Sequence, residues 1–171
     1  MVHTHPYYGE TVMVRRILQV VSVLSMAMGM AAPARSQSPQ GRFWDAAISG
    51  DTAALAAALA DGARVDSLDL RRSPNGRLAL NWAAINNRVS AIQFLLAHGA
   101  AIEGTNITGF TALHHAAEYG SLEAARVLLA AGADPAHRNS AGLKPADTAR
   151  EEGHIEVALL LAVAERGERP K

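Results

Sequence analysis

The chain has 171 residues and no cysteine, and its 16 basic residues balance its 16 acidic ones. This length fits one domain of ordinary size, and the missing cysteine excludes disulfides, thiolate catalysis and cysteine-based zinc sites. A net charge of zero provides no overall field for nucleic acid or an anionic membrane, so we expect neither as a partner.

The N-terminal region predicts a secretory signal peptide over residues 1–34. Arg15 and Arg16 precede an uncharged run at 17–32, and small residues follow up to Ala34. Basic, apolar and small-residue segments in this order are typical of a signal that is removed on export. The charges directly after Met13 also indicate Met13 as an alternative start of the chain.

The same apolar run leaves a membrane anchor as the alternative. About 16 residues are fewer than the roughly 20 that span a bilayer core, so cleavage near Ala34 is favoured, with no membrane insertion afterwards. We therefore expect an exported protein of a bacterial periplasm, with residues 35–41 as a flexible linker.

A repeated pattern occupies the chain beyond the linker. The segment 109–135, GFTALHHAAEYGSLEAARVLLAAGADP, matches the segments at 76–102 and 142–161 after a shift of 33 residues. A period of this length is typical of stacked repeats. Each copy has a short apolar stretch, a turn at Asn87, Gly120 or Gly153, and a longer apolar stretch, which predicts a helix–turn–helix unit.

Four units are predicted over residues 42–165, at about 42–72, 73–105, 106–138 and 139–165, before a polar tail at 166–171. The period lengthens by four residues within 68–75, which predicts a longer loop between units one and two. Inner helices should start near Phe43, Leu78, Thr111 and Pro145, and outer helices near Thr52, Val89, Leu122 and Ile155.

Three motifs carry a resemblance to a known family. Thr111-Ala112-Leu113-His114, then Gly120, then Gly132-Ala133-Asp134 resemble the ankyrin repeat, and the resemblance covers about residues 41–163. It implies an all-α ankyrin-repeat solenoid of about four helix–turn–helix units that binds another protein. It also implies that His114 hydrogen-bonds in the turn network. We also expect the protein to be non-catalytic and monomeric.

The resemblance further implies a partner-binding surface on the concave side, formed by turn tips and exposed positions of the inner helices. Aromatic and arginine residues dominate binding energies, and their presence favours an interface, although the apolar residues could equally cover neighbouring turns. Carried over by register, the surface comprises Pro74, Asn75, Arg77, Ile85 and Asn86 in unit two, Ile107, Thr108, Phe110, Glu118 and Tyr119 in unit three, and Ser140, Leu143, Glu151 and Glu152 in unit four.

Seven histidines leave a metal-binding or enzymatic accessory protein as the rival hypothesis. His114 and His115 point about 100° apart on a helix, however, and cannot chelate one ion as an i, i+4 pair does. No serine has the Gly-x-Ser-x-Gly context of a nucleophile. We expect no catalytic residue, metal site or cofactor, and we expect His98, His115, His137 and His154 to lie in solvent.

Overall fold

The structure is a computed structural model that describes residues 38–167. Within that range the chain forms eight α-helices and no strand. The predicted signal peptide, the possible start at Met13 and most of the predicted tail lie outside the described residues. The helices are α1 (Pro39–Ser49), α2 (Thr52–Ala60), α3 (Ala79–Ile85), α4 (Val89–Ala97), α5 (Ala112–Glu118), α6 (Leu122–Ala130), α7 (Pro145–Glu151) and α8 (Ile155–Glu165).

The helices form four antiparallel pairs that stack in sequence. The inner helices α1, α3, α5 and α7 pack successively on one another, and the outer helices α2, α4, α6 and α8 form a second row. Each unit thus contacts mainly its neighbours, as in other solenoids. The predicted all-α solenoid of four helix–turn–helix units is confirmed.

The first helix begins earlier than expected. It starts at Pro39, four residues before Phe43, because the Ser38 hydroxyl accepts a hydrogen bond from the Gly41 amide at 3.1 Å and Pro39 occupies the first turn. Both residue types are favoured at these positions of a helix start. The end of the segment expected to be a flexible linker is therefore helical.

The core between the two helical rows consists largely of alanine and leucine. Alanines such as Ala83 and Ala116 are fully buried and let the inner helices approach closely, while Leu95 and Leu128 fill the space towards the outer helices. Leu96 and Leu129, which the repeat pattern also assigned to the core, are only half-buried. One leucine of each Leu-Leu pair thus packs fully in the core.

The turns inside the units take the left-handed backbone that the sequence predicted. Asn87 has φ 53°, and the equivalent Gly120 and Gly153 have φ 66° and 77°. Asparagine tolerates this region better than other non-glycine residues. Its side-chain oxygen also accepts a hydrogen bond from the Ala124 amide of the next unit at 2.8 Å.

A side chain after each of these turns binds the preceding unit. Arg88 Nε donates to the Ile48 carbonyl at 3.1 Å, and Ser121 Oγ donates to the Ile85 carbonyl at 3.0 Å. His154 Nε2 contacts the Glu118 carbonyl at 3.1 Å. Three different side chains therefore make an equivalent hydrogen bond, to a backbone carbonyl of the preceding unit, at successive interfaces.

The loops at the opposite end of the units form hairpin tips. The amides of Asn106 and Asn139 donate to the carbonyls of Phe110 and Leu143, four residues on, whereas the Asp69 amide donates to the Arg77 carbonyl, eight residues on. The difference accounts for the four additional residues, which confirms the predicted longer loop.

Neighbouring tips are joined by backbone hydrogen bonds. The Ile107 amide donates to the Asn75 carbonyl at 2.9 Å, and the Ser140 amide donates to the Thr108 carbonyl at 3.1 Å. The tips of units two, three and four thereby form one continuous edge beside the inner helices.

The long tip of unit two is also held against α1. Buried Asp69 accepts hydrogen bonds from the amide and Nε of Arg71, at 3.0 and 2.8 Å. Asp45 of α1 forms ion pairs with Arg71 and Arg72 at 3.2 and 2.8 Å, and the Arg71 guanidinium lies over the Trp44 ring. This loop is thus fixed in place by compensated charges.

Candidate functional site

A groove of about 490 Å³ lies where the tips of units two, three and four meet the inner helix α5. It crosses two interfaces between units, so no single unit encloses it. Most of its lining residues are of polar type, and Phe110 contributes a phenyl ring. The lining residues are Ser73, Asn75, Arg77, Asn106, Thr108, Phe110, His115, Glu118, Ser140 and Ala141.

Asparagine side chains inside the tips hold the backbone of the groove in shape. Asn106 Oδ1 accepts hydrogen bonds from the amides of Thr108 and Phe110 at 3.0 and 2.9 Å. Asn139 Oδ1 does the same for the amides of Ala141 and Leu143, at 2.9 and 3.1 Å. Because asparagine stabilises turns in this way, the walls of the groove are preorganised.

Arg77 forms part of the wall contributed by unit two. Its guanidinium lies over the Trp82 ring, 4.8 Å from the centroid, which restricts its orientation. Its Nε is buried and has no hydrogen-bond acceptor. The groove therefore contains a cation that is held in position and is not fully hydrogen-bonded.

His115 and Glu118 form a hydrogen-bonded pair in the groove. His115 Nδ1 lies 2.9 Å from Glu118 Oε2, and the Phe110 ring lies 5.4 Å from the imidazole. Burial lowers the pKa of His115 despite the nearby carboxylate, so the imidazole is neutral at pH 7 and Nδ1 donates its proton. That hydrogen bond in turn lowers the pKa of Glu118.

The expectation that His115 lies in solvent is wrong. Its residue is 2 % exposed, because Phe110 covers it from the tip and its own helix packs between α3 and α7. His137 and His154 are half-buried, which also departs from the expectation, while His98 is exposed.

His114 connects α5 to the tip of unit four. Its Nε2 lies 3.0 Å from the Leu143 carbonyl and its Nδ1 lies 2.9 Å from Thr111 Oγ1. Since a carbonyl only accepts, Nε2 must carry the proton and Nδ1 must accept from the hydroxyl. Burial lowers the pKa of His114 to about 4. Its predicted structural role in the turn network is confirmed.

The serines of the groove are not paired with the buried histidine beside them. His115 Nε2 is buried and has no hydrogen-bond partner, so the groove serines Ser73 and Ser140 are not hydrogen-bonded to it. Across residues 38–167, no three His, Asp or Glu side chains are grouped so as to hold a metal ion. The His115–Glu118 pair supplies a carboxylate held in position beside the Phe110 ring, and both groups can contact a bound molecule.

The groove brings together six of the residues predicted for partner binding: Asn75, Arg77, Thr108, Phe110, Glu118 and Ser140. Exposed Ile107 and Pro74 are adjacent to lining residues on their tips. Four further lining residues were not predicted from the sequence: Ser73, Asn106, His115 and Ala141. Asn106 could have been found, because asparagine recurs at the same tip position as Asn139.

The other predicted residues do not line the groove. Tyr119 is exposed just after α5, and Glu151 and Glu152 are exposed at the end of α7. Leu143 is half-buried, and its carbonyl is bonded to His114. Ile85 and Asn86 are half-buried at the C-terminal end of α3. There the Ile85 carbonyl accepts from Ser121, and the Asn86 amide donates to the Trp82 carbonyl. Leu143, Ile85 and Asn86 therefore contribute to the fold. Contact between a partner and any of the predicted residues outside the groove stays a prediction.

No helix in residues 38–167 has the length and apolar character needed to cross a membrane.

Comparison with known families gives one match that covers more than half of the chain. A family model described as ankyrin repeats (3 copies) matches residues 43–139. The matched range covers units one to three apart from the first residues of α1, and it includes the tips of units two and three that form most of the groove. Curated proteins gave no match to the chain.

Proposed function

Since the chain belongs to the ankyrin repeat family, we propose that it is a monomeric, non-catalytic module that binds another protein through the groove. Ankyrin repeats generally mediate protein–protein interaction. The observation that carries the proposal is the groove itself, which combines a preorganised edge of three tips with Phe110 and Arg77. Aromatic and arginine side chains are the usual anchors of protein interfaces.

The surroundings of the groove support a protein as the occupant. Ile107 is 63 % exposed on the tip of unit three, and Tyr119 is 48 % exposed at the end of α5. Polar groups at the centre of the groove and exposed apolar side chains nearby offer both hydrogen bonds and apolar contact. A folded partner can use both kinds of contact at once.

A photo-crosslinking amino acid in place of Thr108 tests the proposal. Irradiation in the native host should link the chain to one recurring partner, whereas the same label in place of the exposed Gln93 on α4 should not. Labelling of no recurring protein from Thr108, or the same products from both positions, would contradict binding through the groove.

Two substitutions separate the groove from the rest of the predicted surface. Ser140→Trp places a large side chain in the groove at an exposed position. It should abolish capture of the partner by the photo-crosslinking label without lowering the melting temperature. Tyr119→Ala, outside the groove, should reduce capture less than Ser140→Trp. Equal capture by wild type and Ser140→Trp would show that the partner binds elsewhere.

We also propose that the protein is exported to a bacterial periplasm after cleavage near Ala34. The support comes from the basic residues at Arg15 and Arg16 and the uncharged run at 17–32. N-terminal sequencing from the native host should give a start close to Arg35. An intact N-terminus in the cytosolic fraction would refute export, and one in the membrane fraction would favour the anchor alternative.

A further inference from the structure

We infer that the groove takes an acidic side chain of the partner, an Asp or Glu carboxylate, which binds the guanidinium of Arg77. This inference rests on the proposed function and specifies the chemistry of the partner at the same site.

The charged side chains around the groove form ion pairs with one another, except for Arg77 and Glu118. Arg71 and Arg72 pair with Asp45 and Asp69 at 2.8–3.2 Å. The Glu118 carboxylate accepts a hydrogen bond from His115. Among residues 38–167, no carboxylate oxygen lies within 4.0 Å of the Arg77 guanidinium nitrogens, and the guanidinium lies over the Trp82 ring.

The geometry of Arg77 suits a carboxylate better than other groups. A guanidinium presents its N–H groups in a planar fork that matches the two oxygens of a carboxylate. Stacking on Trp82 restricts this fork before binding, so less side-chain entropy is lost when a ligand arrives. The Nε–H is buried, so a carboxylate would bind the terminal N–H groups of the guanidinium.

Glu118 is the group that opposes this assignment, because it places a negative charge in the same groove. Its carboxylate accepts a hydrogen bond from His115 at 2.9 Å and is not in contact with Arg77, although the Arg77 charge is near enough to lower the pKa of Glu118. A bound carboxylate would therefore still experience some repulsion. Removing that charge should strengthen acid binding, which gives the inference an additional test.

Exposed apolar side chains flank the groove on two tips. Leu70 is 59 % exposed and packs against Gly76, which lies between the lining residues Asn75 and Arg77. Ile107 is 63 % exposed between the lining residues Asn106 and Thr108. An acidic residue with apolar neighbours in the partner would thus match both the centre and the edge of the groove.

Capped tripeptides test the inference directly. Acetyl-Leu-Glu-Leu-amide and acetyl-Leu-Gln-Leu-amide differ only in the side-chain charge, and each is titrated into the purified full chain with isotope labelling. The amide signals of Arg77, Thr108 and Phe110 should shift with the Glu peptide and saturate. Its dissociation constant should be about tenfold lower than that of the Gln peptide, as expected for a charged hydrogen bond.

Three variants locate the effect. Arg77→Gln should remove the preference for the Glu peptide, and Arg77→Lys should retain part of it. Glu118→Gln, which can still accept from His115, should bind the Glu peptide about two- to fivefold more tightly, because a like charge is removed. Arg126→Gln is the matched control: it removes a cation from the exposed surface of α6 and should change nothing.

Equal affinity for the two peptides, or an undiminished preference in an Arg77→Gln variant that keeps the wild-type melting temperature, would overturn the inference. So would tighter binding of acetyl-Leu-Gln-Leu with a free C-terminus, since the carboxylate would then come from a chain end. Loss of partner capture with Ser140→Trp, combined with no peptide preference, would leave the proposed function standing and this inference refuted.

Discussion

Single residues at equivalent positions of the repeat show how different neighbours change the same turn. Gly120 and Gly153 both have left-handed backbone. A Cβ added at Gly120 would lie 2.7 Å from Nδ1 of His154, whereas a Cβ at Gly153 would meet nothing within 4 Å. At Gly120, both the left-handed backbone and the nearby His154 ring therefore disfavour a side chain. At Gly153, only the left-handed backbone does so.

This contrast predicts different costs for the same substitution. Gly153→Ala should destabilise the protein by about 1–2 kcal/mol, the cost of left-handed backbone for an L-residue. Gly120→Ala should cost about 1 kcal/mol more, because it also displaces the His154 ring from its bond to the Glu118 carbonyl. Urea denaturation of both variants measures the difference, and equal midpoints would contradict the proposed role of His154.

His114 predicts how stability depends on pH. Its pKa is about 4 in the folded protein against 6.5 for an ordinary histidine, so the unfolded chain binds more protons between these values. Stability should therefore fall as pH drops through this window. Between pH 7 and pH 5 this histidine accounts for a loss of about 2 kcal/mol, and the buried His115 acts in the same direction.

The matched variant is His114→Asn, because unit two carries Asn81 at the equivalent position, with its amide 3.5 Å from the Phe110 carbonyl. The variant should lose less stability than wild type between pH 7 and pH 5, whatever its stability at pH 7. Urea midpoints at the two pH values measure this. If the variant and wild type lose the same stability between pH 7 and pH 5, His114 is not the group that titrates.

At the scale of helices, local sequence signals determined most of the elements. The outer helices begin at Thr52, Val89, Leu122 and Ile155 as predicted, because turn residues and apolar spacing act within a few residues of each start. The start of α1 was missed because the repeat pattern gives no copy of Ser38 and Pro39 to align. Those two residues nevertheless carry an ordinary helix-start signal.

The burial of leucines on the outer helices predicts how much each one contributes to stability. Leu128 of α6 is fully buried, whereas Leu159 of α8 is 63 % exposed. Leu128→Ala should cost about 2–5 kcal/mol because it leaves a cavity in the core, and Leu159→Ala should change stability by less than about 0.5 kcal/mol. Thermal or urea denaturation distinguishes them. If Leu128→Ala leaves the transition unchanged, the core assignment fails.

At the scale of the whole described domain, the order of units could be predicted from the 33-residue period, but most of the groove could not. Arg77 of the unit-two tip and His115 of α5 line the same groove because tips from different units are joined beside the inner helices. Burial of His115 depends on Phe110 and on the packing of α5 between α3 and α7. Such contacts depend on tertiary packing, which a repeat pattern does not encode.

The stack should unfold as one unit. Four repeats with joints at every interface, such as Ser121 to Ile85, couple each unit to the next, and short repeat domains of this kind lose structure cooperatively. Far-ultraviolet circular dichroism and tryptophan fluorescence, which reports on Trp44 and Trp82 in units one and two, should give coincident urea transitions. Separate transitions would show that the C-terminal units melt independently.

Because three tips are joined into one edge, binding at the groove depends on the folded state of three units at once. The bonds from Ile107 to Asn75 and from Ser140 to Thr108 hold the groove walls together, so a molecule with one detached repeat displays no complete groove. Only molecules with all units in place can therefore bind the partner through the groove. An occupant, by contacting all three tips, retards their separation, so the bound protein should exchange its amide hydrogens more slowly and resist proteases for longer.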